Sequence, residues 1–531
     1  IFKKDYEYIN FFYEKILENL TNKLNKIHKI NLSKRSWRII IGPWLTLFTQ
    51  VLFDRFKALE SLNFSDYNYE TIAITYDKYN FLSEDYSEFK YFVQSSFFNH
   101  YLYFRILNYY EKINFIIIKN NEKSKIKPKK NNSKFYNLLL KFLNKIFFNK
   151  ELNIYFETNL SDKILNKLNY SDGLYNRYLG WYFNYFESKS NTIDFINREN
   201  FKYKYENKFE EIFQDLIFEF LPKLYLENFK FNYNKINNDF NKNKILSIFT
   251  SNSHLYHDQF KILIASQIEN KNSKLCIYQH GGNDMILNIQ SWADHERNIA
   301  DIKFNWGEHN SNNKNIFLGI ENENYFKKKF KNNNLFIVAH RKYNYSNHYF
   351  SDTMAFSQKK EMFDNIEKLL DSLNYSILSN TIVRTAHNNF AHYTSDTEEK
   401  FINKKFKKGN KVEIDYGIRN FNDTFYNSKI IISAYVSTSF LKGLANNIPT
   451  FLILNSFTDI KHDNDKLIKN MKNNKLIFDN SEDLANHINN IWDNPYKWWN
   501  NNKTQKCVKE LLENFCKINE NIDLTVNKYL N

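Results

Sequence analysis

Residues 429–455 read KIIISAYVSTSFLKGLANNIPTFLILN, and this stretch decides the fold class. An apolar β-branched run, Ile430 to Ser433, is followed by a short polar break and a compact helical segment, Phe440 to Ala445. A second apolar run extends from Pro449 to Leu454. This order of strand, loop, helix and strand predicts the βαβ unit of a parallel sheet.

Three hydroxyl side chains, Ser437, Thr438 and Ser439, stand where the predicted helix begins. We expect them to cap its first turn. The N–H groups of that turn, with the positive end of the helix dipole, suit a phosphate group. The segment therefore indicates a nucleotide-linked donor, with an ordinary N-cap as the structural alternative.

Composition sets the size and charge of the molecule. The chain has 531 residues, 42% of them hydrophobic, so we expect two or more domains. Its formal net charge of +15 favours acidic partners such as nucleotides, anionic lipid headgroups or nucleic acid. Nucleic acid is the least favoured of these, because the sequence has no RNP, zinc-finger or helix-turn-helix signature.

The cellular location is predicted from what the sequence lacks. The three cysteines show no CxxC or zinc-ligand spacing, and we find neither an uninterrupted run of 18 apolar residues nor a signal peptide. These features predict a cytoplasmic protein, with a peripheral position at the inner face of the inner membrane as an option. The chain begins at Ile1 without Met, as a fragment would.

The alternation of segments predicts three parts. Residues 1–321 are expected to form a helix-rich acceptor-side domain, with a Lys- and Asn-rich insertion at 119–134 and a buried turn at Gly42-Pro43. Residues 334–497 alternate strand with helix as a Rossmann-like nucleotide-donor domain does. Residues 498–531 are expected to form a terminal helix.

A second candidate site follows the apolar strand that ends in Gln279-His280-Gly281-Gly282. Ligands of open parallel sheets bind outside the carboxyl ends of the strands, where His280 would be displayed. The two glycines would permit positive φ and close backbone approach. We interpret His280 as a base or a phosphate ligand, and a core histidine beside a glycine turn is the alternative.

Basic residues follow two further predicted strands. Arg384 and His387 come after TIV, and Arg341 comes after LFIVA. A guanidinium group can bind a diphosphate through two hydrogen bonds. For any one of these residues, a solvated charge at a strand end is the alternative. His295 and Glu296, on a predicted helix, either face the same cleft or form exposed pairs with Arg297.

The stretches that carry a family resemblance extend over nearly the whole chain. They are RSWRIIIGPWL with FDRF, FLPKLYLENF, SNSHLYHDQFKILIA, IYQHGGND, DHERNIADIKFNWG, STSFLKGLANNIPT and EDLANHINNIWDNPYKWW. Together they resemble the LIC12162 family of transferases, associated with O-antigen and surface-polysaccharide biosynthesis. That family resembles GT-B glycosyltransferases, including capsule-type enzymes with a His-Gly motif.

The resemblance implies an α/β fold with two Rossmann-like domains facing across a cleft. It also implies sugar transfer without a metal and donor binding by the second domain. Metal-site and P-loop motifs are indeed missing from the sequence, so no metal or other cofactor is expected. Two features depart from the pattern: Lys442 stands where many GT-B proteins have Glu, and the chain starts after the usual first strand.

The resulting hypothesis is a GT-B-type glycosyltransferase with a nucleotide-sugar donor and a glycan or lipid-linked glycan acceptor. The predicted catalytic residues are His280, Gln279, Gly281 and Gly282. The predicted donor-binding residues are Ser437, Thr438, Ser439, Arg384, His387, Arg341 and Lys442. Transfer of a polyol phosphate from a CDP-linked donor is the second hypothesis, and nucleic-acid binding is the third.

Overall fold

The computed structural model describes residues 2–62, 67–120, 151–168, 192–199, 201–241, 243–308, 311–321, 333–340, 345, 356–385, 402–409 and 411–530. Most of the predicted insertion at 119–134, and the segment 322–332 that separates the first two predicted domains, lie outside these ranges.

All the paired strands in the described residues run parallel, in three sheets. The strands are β1 Tyr69–Thr75, β2 Ile113–Lys119, β3 Glu151–Phe156, β4 Lys244–Thr250, β5 Lys274–Tyr278, β6 Ile302–Asn305, β7 Asn315–Phe317, β8 Leu335–Val338, β9 Thr381–Arg384, β10 Glu413–Asp415, β11 Ile430–Ser433, β12 Thr450–Ile453 and β13 Ile477–Phe478. Strands β1 and β2 form a small separate sheet.

Helices cover and connect these sheets. They are α1 Phe2–His28, α2 Lys34–Glu60, α3 Tyr86–Phe92, α4 Ser96–Leu107, α5 Asp162–Leu168, α6 Phe195–Glu199, α7 Lys208–Phe220, α8 Phe229–Phe240, α9 Ser253–Tyr256, α10 Asp258–Lys271, α11 Ser291–Ile299, α12 Phe356–Ser372, α13 Tyr375–Leu378, α14 Phe421–Tyr426, α15 Thr438–Ala445, α16 Asp465–Asn473, α17 Ser481–Ile491, α18 Pro495–Trp499, α19 Asn502–Phe515 and α20 Ile522–Leu530.

The six-stranded sheet has the order β10-β9-β8-β11-β12-β13. Counted from β8, this is the Rossmann order 3-2-1-4-5-6. Strands β8 and β11 lie side by side where the winding direction reverses, and ligands of such sheets bind at the carboxyl ends of that pair. The βαβ unit predicted from residues 429–455 is confirmed as β11, α15 and β12, and it forms one side of this switch point.

The five-stranded sheet runs in chain order, β3-β4-β5-β6-β7. Helices α9 and α10 connect β4 to β5, and α11 connects β5 to β6. The long helix α2 packs against α1, α10 and α11, so it is the centre of the helical layer. The predicted α/β fold with two Rossmann-like parallel sheets is therefore confirmed.

Helix α2 differs from the prediction of a turn at Gly42-Pro43. The helix continues through both residues, which are buried. A Cβ atom on Gly42 would lie 2.9 Å from ring carbon Cε1 of His295 and 2.9 Å from the hydroxyl of Tyr13. Close packing on all sides thus outweighs the local cost of proline, roughly 3 kcal/mol in a helix interior.

Helix α2 is also long and apolar enough to cross a membrane, but 94% of its most apolar window is buried inside the protein, as in a core helix.

The C-terminal part of the chain returns to the first sheet. The backbone N–H of Lys517 donates to the carbonyl of Trp306, at 2.9 Å, and the N–H of Ile320 donates to the carbonyl of Lys517, at 2.9 Å. The predicted terminal helix at 498–531 is instead the short α18 followed by α19 and α20. Trp499 is fully buried and donates to Asn447 Oδ1 at 2.7 Å, which fixes α18 against the end of α15.

Gly307 is the point where the first sheet meets the end of α19. A Cβ atom there would lie 1.9 Å from the carbonyl oxygen of Asn514 and 2.5 Å from Cα of Phe515. Since both atoms belong to the backbone, they cannot move aside locally. We expect Gly307→Ala to lower the free energy of unfolding by roughly 1–3 kcal/mol or more, measured by urea denaturation.

The matched control for this prediction is Gly409→Ala. Its new methyl group would meet no atom within 4 Å, although the φ of +67° adds about 1 kcal/mol of backbone strain. Equal losses of stability in the two variants would show that the contact with α19 is not a tight one.

Candidate active site

The loop that follows β5 is held in place by Gln279. Its side chain accepts a hydrogen bond from the N–H of Trp306 at 2.9 Å and donates one to the carbonyl of Gly281 at 2.7 Å. Gln279 is also 1% exposed. Both polar ends of the side chain therefore bind the loop and its surroundings, and a direct role of Gln279 in catalysis stays a prediction.

Gly282 joins this loop to the other half of the molecule. Its N–H donates to Oγ1 of Thr438 at 3.1 Å. A Cβ atom on Gly282 would lie 3.1 Å from Cα of Thr438 and 3.2 Å from the carbonyl oxygen of Ser437. Close approach thus explains this glycine, whereas positive φ does not, since neither Gly281 nor Gly282 has it. The two predicted halves of the site meet directly, in the GT-B-like arrangement expected.

His280 is paired with a buried carboxylate. Its side chain is 30% exposed, and its Nδ1 lies 3.3 Å from Oε1 of Glu296 on α11, whose side chain is 2% exposed. Burial lowers the pKa of His280, but the contact with Glu296 and the negative charges of Glu296 and Asp284 together raise it more, so the net pKa lies above its usual value. Nδ1 faces Glu296 at ion-pair distance, although the two atoms do not have the geometry of a hydrogen bond. Nε2 is therefore the ring nitrogen that remains to serve a ligand.

Glu296 is held as a carboxylate by a buried lysine and by a second histidine. Lys303 Nζ lies 3.0 Å from Oε2 of Glu296 and also forms an ion pair with Asp284. His254 Nε2 lies 3.4 Å from Oε1 of the same glutamate. Burial raises the pKa of Glu296, but Lys303 and the two histidines outweigh it and hold the pKa well below its usual value. His254 itself has a lowered pKa, because burial exceeds the effect of Glu296.

The two alternatives for residues 295–297 are now resolved. Glu296 faces His280, and Arg297 forms an exposed pair with Asp294.

His254 and Lys303 were missed as site residues. A lysine within the otherwise apolar strand IKFN was the available signal for Lys303, because a buried lysine needs a charged partner.

The hydroxyl cluster lies at the start of α15, beside the switch point. Ser437 occupies the N-cap position, but its side chain makes no capping hydrogen bond. Its Oγ instead lies 2.7 Å from Oγ of Ser433 and 2.6 Å from Oγ of Ser439. The predicted capping role is therefore wrong, and in the described residues no side chain caps the first turn of α15.

The carboxyl ends of β8 and β11 are in contact next to this cluster. The rings of His340 and Tyr435 are edge to face, with centroids 5.1 Å apart. His340 follows β8 and Tyr435 follows β11. The hydroxyl cluster, the switch point and the loop containing His280 thus converge on one region.

Arg384 does not contribute to this region as predicted. Its guanidinium is 2.6 Å from Oδ2 of Asp415, and the two side chains are 3% and 1% exposed. It also donates to the carbonyl of Arg419 at 3.0 Å. The alternative of a solvated charge at a strand end does not describe Arg384 either, because its guanidinium is buried. A buried arginine that is already paired with a carboxylate offers a phosphate few hydrogen-bond donors.

Three further residues were predicted to bind the donor. Arg341 and His387 lie outside the described residues. Lys442 is half-buried and belongs to the last turn of α15, so it does not lie at the phosphate-binding end of the helix.

Comparisons with known proteins add a family. The family model described as LIC12162 family transferase matches residues 1–530. No curated protein matches the chain.

Solved structures resemble this chain only weakly, in sequence identity and in overall fold. They include Staphylococcus aureus TarM in complex with fondaparinux, α-GlcNAc-glycerol and UDP, with 13% identity, a TM-score of 0.36 and coverage of 57% of this chain and 58% of TarM. A glycosyltransferase from Rickettsia africae has 14% identity, a TM-score of 0.36 and coverage of 72% and 97%. Anabaena HepE in complex with UDP and glucose has 10% identity, a TM-score of 0.36 and coverage of 61% and 88%.

These similarities carry no argument about individual residues, and this chain spans little more than half of the TarM chain. The family match is stronger evidence than the solved structures, because it extends over almost the entire sequence and agrees with the two parallel sheets. The chain belongs to the LIC12162 family of transferases.

Proposed function

We propose that this transferase is a glycosyltransferase that moves a sugar from a nucleotide-sugar donor to a hydroxyl group of a surface-glycan precursor. One observation carries the proposal: Gly282 N–H donates to Thr438 Oγ1 at 3.1 Å. This contact brings the loop containing His280 against the start of α15. A histidine paired with a carboxylate and an uncapped helix N-terminus then adjoin one region.

The donor phosphate would bind at the start of α15. Backbone N–H groups of a first helical turn bind anions, and the helix dipole adds a positive potential. The side chain of Ser437 makes no capping bond there, so it does not compete for that position. When the sugar is transferred, negative charge develops on the departing phosphate, and the same N–H groups would stabilise it.

His280 would act as the general base. Its Nε2 accepts the proton of the acceptor hydroxyl while that oxygen attacks the anomeric carbon of the donor sugar. The bond from the anomeric carbon to the phosphate oxygen breaks, and the nucleotide leaves with the electron pair. Glu296 favours this role, since its carboxylate lies beside Nδ1 and makes the imidazole more basic.

Nucleotide binding is the first measurement. We expect a nucleoside diphosphate from the set UDP, GDP, CDP and dTDP, or CMP, to raise the melting temperature of the protein, because a ligand bound only by the folded state stabilises it. The corresponding nucleoside without phosphate should give almost no shift. If no member of the set shifts the melting temperature, the proposed donor class is wrong.

Thr438 offers a matched pair of variants for this measurement. Thr438→Asp and Thr438→Asn both keep an acceptor for Gly282 N–H, and only the first adds a negative charge beside the proposed phosphate. We expect Thr438→Asp to abolish the nucleotide shift and Thr438→Asn to retain most of it. Equal shifts in the two variants would place the phosphate elsewhere.

The transferred group is then identified by mass spectrometry of the product. A glycosyltransferase adds a sugar without phosphorus, whereas transfer of a polyol phosphate adds phosphorus to the acceptor. The same assay with EDTA tests the expectation of metal independence, which predicts an unchanged rate.

A lipid-linked acceptor and an anionic membrane surface are the proposed partners, in keeping with the net charge of +15 and with a cytoplasmic position.

Gly282→Ala tests the contact that carries the proposal. The new methyl group would press on the backbone of Thr438 and Ser437 and displace one loop from the other. We expect a rate loss of about 10- to 100-fold, the order caused by small misplacements of reacting groups, with the melting temperature lowered only slightly. Gly281→Ala is the control, since its methyl group would meet only the movable side chain of Asn283. An unchanged rate in Gly282→Ala would contradict the proposed cleft.

A further inference from the structure

A second cleft lies between helices α1, α2 and α11. Its volume is about 410 Å³, within the roughly 300–1,000 Å³ of small-ligand sites. Polar and charged side chains line it, and Ile9 is its one aliphatic lining residue. The wall of the cleft therefore combines hydrogen-bonding groups with a nearly equal area of apolar atoms.

This cleft is separate from the contact between His280 and Glu296. Both regions use α11, but through neighbouring residues that point in different directions, because successive helical residues are about 100° apart. Glu296 contacts His280, whereas His295 lines the second cleft and lies against Gly42 and Tyr13. A ligand in the cleft would thus lie across a helix from the proposed base.

Buried polar groups without a protein partner line the cleft. Thr49 is fully buried, and its Oγ1 has no hydrogen-bond partner among the described residues. Both ring nitrogens of His295, which is 4% exposed, likewise have none there. Buried polar atoms are normally paired, so each exception calls for an explanation. A hydroxylated ligand would supply the missing partners.

The charges that line the cleft cancel. Arg38 donates to both carboxylate oxygens of Glu14, at 2.6 and 2.7 Å, and Arg297 pairs with Asp294. Burial and the nearby His254 hold the pKa of His295 well below its usual value, so its ring is neutral. A neutral imidazole and a threonine hydroxyl each donate and accept, as sugar hydroxyls do.

We propose that the cleft between α1, α2 and α11 binds a neutral sugar unit at a site distinct from the proposed donor site. This inference rests on the unpaired buried groups, the cancelled charges and a lining that mixes polar with apolar atoms. It does not depend on the proposed transfer reaction, because binding can be measured without donor or turnover.

The test uses the full chain labelled with carbon-13 at Cε1 of histidine. Among the 13 histidines, the signal of His295 is assigned as the one that is lost in His295→Gln. The probes are the methyl glycosides of glucose, galactose, mannose and N-acetylglucosamine, with methyl glucuronide as the anionic counterpart. We expect at least one neutral glycoside to move the His295 signal saturably, and methyl glucuronide to bind at least tenfold more weakly.

Two substitutions and a control locate the binding. Asn298 is an exposed lining residue whose side chain donates to the backbone four residues earlier. Asn298→Trp should fill the mouth and weaken binding at least tenfold. Asn270→Trp, at an equally exposed asparagine outside the cleft that also bonds four residues back, should leave binding unchanged.

Thr49→Val is nearly isosteric and removes only the unpaired hydroxyl, so it should weaken binding about fivefold while the remaining histidine signals keep their positions. The proposal is overturned if no neutral glycoside moves the His295 signal, or if methyl glucuronide binds as tightly as the best neutral glycoside. It is likewise overturned if the shift persists in both Asn298→Trp and Thr49→Val.

Discussion

Replacing His280 with glutamine lowers the rate of sugar transfer by about 10²- to 10⁴-fold, the usual contribution of a positioned general base. Glutamine retains polar atoms near Glu296, but it cannot accept the proton of the acceptor hydroxyl. His280 is 30% exposed, and within the described part of the chain its one ion-pair contact is with Glu296, so the loss of the ring should not unfold the chain. The rate is measured with the nucleotide sugar chosen by the melting-temperature screen.

The control for this variant is His462→Gln. The His462 side chain is 96% exposed and pairs with Asp465, within the same local turn. We expect that variant to keep the full rate and the melting temperature of the parent protein. A His280→Gln protein that melts normally and transfers sugar at the full rate would remove His280 from the mechanism.

The pH profile separates a base from a phosphate ligand. A base must be neutral, so the rate should rise with pH through the pKa of His280, which lies above the usual 6.5. A protonated phosphate ligand would give the opposite slope over the same range. The same raised pKa stabilises the fold below pH 6.5, and this stabilisation is lost as the pH rises through the folded-state value.

Local sequence patterns were sufficient for the elements that form the site. The apolar runs around residues 437–439 predicted β11, α15 and β12, and the strand before His280 was equally clear. Because the carboxyl ends of parallel strands carry ligand sites, it was reasonable to place both segments at one cleft. Their contact through Gly282 and Thr438 shows that this rule was enough for the general position.

Pairing between distant residues could not be predicted in the same way. Arg384 looked available because the partner Asp415 lies 31 positions later, at the end of a strand that is itself only three residues long. Helix α2 was divided at Gly42-Pro43 because local preference favours a break there. The packing that keeps it continuous comes from His295 and Tyr13, which no local pattern connects to Gly42.

Glu296→Gln tests whether the contact of Glu296 with His280 contributes to catalysis. The substitution keeps the shape of the side chain but removes its charge and allows the amide to donate toward His280. We expect the rate of transfer to fall by about 10²- to 10⁴-fold, since an amide in place of a histidine-orienting carboxylate disfavours the productive tautomer. Lys303 retains its ion pair with Asp284, so the buried lysine is not left alone.

The pKa of His280 supplies a readout that a purely structural glutamate would not change. In the parent protein Glu296, together with the charge of Asp284, outweighs the lowering effect of burial on this pKa. In Glu296→Gln the charge of Glu296 is lost, and burial, the largest influence, is opposed by Asp284 alone, so the pKa should fall and the inflection of the rate profile should move to lower pH. Titration of the His280 Cε1 signal measures the same shift without turnover.

Glu206→Gln is the matched control, because Glu206 is 66% exposed and its ion pair with Lys15 is remote from the site. It should change neither the rate nor the titration of His280. If Glu296→Gln lowers the rate while the pKa of His280 stays the same, Glu296 acts through the fold alone. If the pKa falls and the rate does not, the imidazole is not the base, and the buried cluster of Glu296, His254 and Lys303 serves to hold α11 against the sheet.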